Sequence, residues 1–161
     1  MKIRNSRSIL SAVLGGALFL GGVAYGAQLQ QSTQKDLMTA MQGEAFAYAK
    51  YTAFAEEARA QGYPKIAALF ENTANVELKS HFATHAHQYG LVRSTAANLQ
   101  NAVDGENYET TKMYPEMAAR ARSAGDPHIA AIFTAIGKDE AAHRDRFKAA
   151  LAELRKGGKT R

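Results

Sequence analysis

Cysteine is absent from the 161-residue chain, and so is tryptophan. The first absence excludes disulfide staples, thiolate catalysis, zinc-thiolate sites and iron held by four cysteines. Proline occurs only at 64, 115 and 127, so helical tracts are interrupted at few places. Concentrated positive charge is lacking as well. The formal charge is +5, but three of the 20 basic residues (Lys2, Arg4 and Arg7) precede an uncharged run. All 15 acidic residues come after that run, which leaves the remainder at +2. No basic stripe with interleaved aromatics is present, so no nucleic-acid partner is expected.

The uncharged run from Ser8 to Ala27 comes after a small basic region and ends in Ala24-Tyr25-Gly26 before Ala27. Small residues at that spacing form the pattern of a cleaved export signal. The run is also long enough for a retained membrane anchor, in which case the membrane becomes a partner. Either reading of residues 1–27 places the domain in the periplasm or another extracytoplasmic compartment. Residues 157–161 form a short basic tail.

Between these ends the chain reads as all-α. Pro64 follows Gly62-Tyr63 and Pro127 follows Gly125-Asp126, each a helix stop, a tight turn and a new start. The segment Gly90 to Ser94 is a further break. Four helical tracts result, at about 34–60, 64–89, 95–123 and 127–156. The second half repeats the first. Gly43-Glu44 returns as Gly105-Glu106, and Pro64-Lys65-Ile66-Ala67-Ala68-Leu69-Phe70 returns as Pro127-His128-Ile129-Ala130-Ala131-Ile132-Phe133. Two similar helical hairpins, each apolar on one face, are expected to bury those faces against each other as a four-helix bundle over 34–156.

Glutamate interrupts each apolar face. Leu37, Met41, Glu44, Tyr48, Tyr51 and Ala55 step by four and three along the first helix. Glu77, Glu106 and Glu140 hold the matching places on the other three, and His143 follows Glu140 by three. Ionised carboxylates in a core are costly without compensation, and two metal ions supply it. Glutamate oxygens with one or two imidazoles suit iron or manganese. Four-helix bundles hold two metals with this layout, using Glu-x-x-His from two of the helices.

Helix two departs from the pattern, because position 80 is serine and His81 lies four after Glu77. A one-residue bulge would bring His81 into register, with His85 and His87 as alternatives. Helix three also carries an extra residue. Glu44 precedes Tyr51 by seven, whereas Glu106 precedes Tyr114 by eight. Glu109 lies in that interval, and a π-bulge there would give the site a further carboxylate.

These residues resemble the rubrerythrins, ferritin-like di-iron proteins, from about Leu37 to Leu151. The resemblance rests on Gly43-Glu44 with Tyr51 and Phe54-Ala55, and on Ile66 to Phe70 followed by Glu77. It continues through Asn98-Leu99, Gly105-Glu106, Glu109 and Met113-Tyr114-Pro115, and ends with Glu140-Ala141-Ala142-His143 and Arg146-Phe147. It implies a ferritin-like four-helix bundle with iron ligands Glu44, Glu77, His81, Glu106, Glu109, Glu140 and His143. In the family one iron exchanges histidine for the extra glutamate with redox state, which maps onto His81 and Glu109. The implied activity is reduction of hydrogen peroxide to water at two irons. The alternatives are a ferroxidase or oxygen-reducing protein, and a non-enzymatic metal-binding bundle. Manganese or a mixed pair would suit the same ligands. Tyr48, Tyr51 and Tyr114 are the expected proton donors. Without cysteine, the rubredoxin iron of typical members is not expected, so a separate electron-donor protein is implied. A homodimer is implied as well.

Overall fold

The computed structural model describes residues 29–157, and the expected leader lies outside them. Four helices form: α1 (Gln31–Ala60), α2 (64–89), α3 (95–123) and α4 (Pro127–Arg155). The expected tracts agree with them to within three residues. The chain has the all-α, ferritin-like four-helix fold, laid out as two antiparallel hairpins, α1–α2 and α3–α4. Among the described residues no helix is long and apolar enough to cross a membrane.

The two hairpin turns are built alike. Gly62 and Gly125 take left-handed backbone with φ of 80° and 86°. This lets Tyr63 N–H donate to Ala58 O at 2.8 Å, and Asp126 N–H to Ala121 O at 2.9 Å. Pro64 and Pro127 then open the return helices, where a missing N–H costs nothing.

Small side chains make the seams within each hairpin. Ala55, Ala58, Ala67, Ala74 and Ala86 are buried in the first hairpin, and Ala118 and Ala130 in the second. Such residues let helix axes approach closely and bring side chains on facing helices within reach. Gly137 lies so near helix α3 that a Cβ on it would stand 3.1 Å from the Cβ of Tyr114. An ion pair between the exposed side chains of Arg59 and Glu71 ties α1 to α2 at the turn end.

Both expected irregularities are present. Helix α2 passes through a π-helical turn over Glu77–Phe82, and α3 through another over Glu109–Met113. A π turn inserts one residue and rotates the rest of the helix by about a quarter turn. The four-residue Glu77–His81 spacing and the eight-residue Glu106–Tyr114 spacing both require that rotation.

One expectation is not met within a single chain. Among the described residues, no helix of the first hairpin has a Cα within 8 Å of any helix of the second. The buried set is correspondingly small, mostly alanine with Met41, Val103 and Leu151. On α2 the stripe Ala67, Phe70, Ala74 and Glu77 packs inward, while the adjacent stripe Ile66, Leu69 and Val76 stays exposed. On α4 the repeat holds: Ala130 is buried and Ile129 and Ile132 are exposed. Full burial of one such side chain is worth about 1.5–3 kcal/mol, so these stripes are substantial uncovered surfaces.

The Gly137–Tyr114 approach yields a test. Gly137→Ala gains helix propensity of about 0.5–1 kcal/mol but forces two backbone-anchored Cβ atoms apart, an overpacking cost of about 1–3 kcal/mol. The expected net effect is a loss of about 1 kcal/mol, read from denaturant unfolding. A more stable variant would mean that the seam yields freely.

Candidate metal centre

Each hairpin gathers one Glu-Glu-His triad. In the first, His81 Nδ1 lies 2.7 Å from Glu77 Oε2 and 3.9 Å from Glu44 Oε1. In the second, His143 Nδ1 lies 2.6 Å from Glu140 Oε2 and 3.9 Å from Glu106 Oε2. The two sets of distances agree to within 0.1 Å, although one histidine follows its glutamate by four residues and the other by three. The π turn of α2 makes up the difference.

Burial in each triad is graded. The four glutamates are mostly covered, whereas the His81 side chain is 50% exposed and that of His143 is 43% exposed. The carboxylates therefore sit under the hairpin surface and the imidazoles at its rim.

Glu106 carries the clearest electrostatic signature. Burial raises its pKa first, and the neighbouring Glu140 carboxylate raises it further. Glu109 adds to the effect, and His143 opposes it. Glu106 Oε2 is also buried with no hydrogen-bond partner. An orphaned carboxylate oxygen beside a second carboxylate calls for a cation.

The residues fit a metal. The donor atoms of each triad lie within 4.8 Å of one another. A metal with ligand bonds of about 2.1 Å holds donors no more than about 4.2 Å apart, so only small adjustments are needed. Glutamate oxygen with imidazole nitrogen is a donor set for iron-class ions. The two triads are thus candidate metal-binding groups consistent with a di-iron site.

The other residues expected at the site are less uniformly placed. Glu109 opens the π turn of α3, outside the triad but near enough to raise the pKa of Glu106. Tyr114 lies close to the same carboxylates. Burial and then Glu109, Glu140 and Glu106 raise its pKa, so it holds its proton. Its ring packs on Phe133, with centroids 6.3 Å apart. Tyr51 stacks on Phe70 with centroids 6.1 Å apart, the repeat-equivalent contact, and Lys50 Nζ lies 4.9 Å from its ring centroid. Tyr48 is exposed. His85 and His87 lie outside both triads. Thr110 is a residue that sequence reasoning misses. It follows Glu109 in the π turn and buries Oγ1 without a hydrogen-bond partner. The extra residue in α3 is the only sequence signal that marks this turn.

Two matched Glu-Glu-His triads on a ferritin-like set of four helices are the donor groups that a di-metal carboxylate protein uses. The particular family is set by sequence. The rubrerythrin family profile matches residues 35–90 and 76–151, and the chain belongs to that family. It is 39% identical to a rubrerythrin of Porphyromonas gingivalis over 137 residues, covering 78% of this chain and 68% of that protein. It is 38% identical to nigerythrin of Nitratidesulfovibrio vulgaris over 136 residues, covering 76% and 67%. Among solved structures, partially reduced nigerythrin is 34% identical with a TM-score of 0.40, covering 96% of this chain and 80% of that one.

The raised Glu106 pKa gives a pH dependence. In metal-free protein the folded state binds this proton more tightly than the unfolded chain does. Its stabilising contribution is present below the ordinary carboxylate range and is lost as pH rises through the raised value. Chelator-treated protein is therefore expected to unfold at lower denaturant at about pH 8 than at about pH 5. Glu106→Gln should raise the midpoint at the higher pH and flatten the difference. An unchanged difference would assign the pH effect to other groups.

Proposed function

We propose that the protein is a di-iron oxidoreductase that reduces hydrogen peroxide to water with electrons from a separate donor protein. The observation that carries this reading is the pair of equivalent Glu-Glu-His triads, with Glu109 set beside one of them by a π turn. Rubrerythrin membership and the oxygen-rich donor set support iron as the metal.

Glu44, Glu77 and His81 would hold one ion, and Glu106, Glu140 and His143 the other. Glu109 is the added arm that alone breaks the symmetry between them. Iron bound there supplies two electrons and the Lewis acidity that O–O cleavage needs. The protein's own part is charge and proton management. The carboxylates would offset the charge of the bound cations. Tyr114 retains a proton close to Glu109, Glu140 and Glu106, where a departing oxygen needs one. Tyr51, held against Phe70 and Lys50, serves as its counterpart in the first hairpin.

A second reading uses the same ligands: oxidation of ferrous iron by oxygen would itself be the outcome. The basic start and uncharged run at 8–27 support placing either chemistry outside the cytoplasm.

Anaerobic titration with ferrous iron followed by stopped-flow mixing separates the readings. The expected result is two irons per set of four helices, with peroxide oxidising them at least about tenfold faster than oxygen. Glu140→Ala is expected to lower metal affinity about tenfold or more, and His81→Ala to do the same at the other triad. Faster oxidation by oxygen would favour the ferroxidase. Failure to bind either iron or manganese would remove both readings.

A further inference from the structure

We infer that the cavity between α3 and α4 is a binding site for a small aliphatic carboxylate. Its charged head rests on Arg122 and Lys138, and its tail lies along the apolar floor of the groove. The site stands apart from the two triads and does not depend on the chemistry proposed for them.

The cavity has a volume of about 390 Å³. Ala118 and Phe133 belong to its floor, and Thr110 and Tyr114 line the end nearest Glu109. Along α3 it runs from Thr110 to Arg122, about 18 Å of helix. Its charged lining residues are Arg122 and Lys138, with no carboxylate among them. A space of this size, mostly apolar and with a few polar groups, suits one small ligand. On α4, Thr134, Lys138 and Ala141 point about half a turn away from Ile129, Ile132 and Ile136. The cavity therefore lies on the other side of the helix from the exposed apolar stripe and is not part of it.

The internal repeat identifies the ligand. Pairing Tyr51 with Tyr114 and Phe70 with Phe133 aligns Arg59 with Arg122 and Glu71 with Thr134. In the first hairpin Arg59 crosses to the facing helix and pairs with the Glu71 carboxylate. In the second the arginine remains but threonine stands where the carboxylate was, and its hydroxyl donates to Ala130 O at 2.8 Å. The arginine ion pairs of the second hairpin, Arg120 with Glu116 and Arg144 with Asp145, leave Arg122 out. Three further lining positions differ in the same sense. Gly137 stands for Ala74 and Ala141 for Leu78, which makes room. Lys138 stands for Asn75, which adds a second positive charge one turn along from Thr134. The first hairpin thus supplies from its own chain the carboxylate whose place the second leaves open between two cations. A guanidinium takes a carboxylate through two parallel N–H···O bonds, and the apolar floor selects an aliphatic tail.

The test titrates octanoate into the purified full chain by calorimetry, with octanol and acetate as comparisons. Octanoate is expected to bind with a Kd below about 1 mM, and the uncharged and tail-less molecules at least about tenfold more weakly. Thr134→Glu restores the carboxylate of the first hairpin and is expected to weaken octanoate about tenfold or more, as is Arg122→Gln. Thr134→Gln, similar in size to glutamate but uncharged, is expected to stay within about threefold of wild type. Both positions are exposed, and unchanged unfolding midpoints separate loss of the site from loss of the fold. Octanol binding as tightly as octanoate, full affinity in Thr134→Glu and Arg122→Gln, or no octanoate binding would each overturn the inference. So would octanoate-induced NMR shifts centred on Ile129 and Ile132 instead of Ala118 and Phe133.

Discussion

Carboxylates on apolar helix faces are the constraint on which the rest of the molecule depends. Glu44, Glu77, Glu106 and Glu140 sit where periodicity asks for leucine. A core that contained them unpaired would not form. Each hairpin answers part of the demand itself, since an imidazole pairs with one glutamate of each triad. That is incomplete compensation. Glu106 is pushed toward its protonated form and leaves one oxygen without a partner. The remaining demand is for cations, and the donor chemistry selects their class.

The backbone serves the same demand. Alanine seams bring α1 onto α2 and α3 onto α4 closely enough for short acidic side chains to meet across them. Larger residues along these seams would separate the helices and the donors with them. The π turns adjust register without shifting the helices, one returning His81 to its triad and the other inserting Glu109 and Thr110. Two insertions at different points of a duplicated hairpin thus turn a symmetric scaffold into one whose second half alone carries an added carboxylate.

Much of this was legible in the sequence. Proline and glycine marked both hairpin turns, because a missing N–H and a left-handed backbone leave few other places for those residues. Counting between repeats located both π turns, since an added residue within a helix must either rotate the face or be absorbed. The triads followed from charge on an apolar stripe. The mate of each stripe was not legible. Periodicity puts Ile66 on the inward stripe with Phe70 and Glu77, yet Ile66 stays exposed beside Leu69 while Ala67 and Ala74 are the buried residues. Thr110 escaped notice because nothing in its own residue type distinguishes it from an exposed helical threonine.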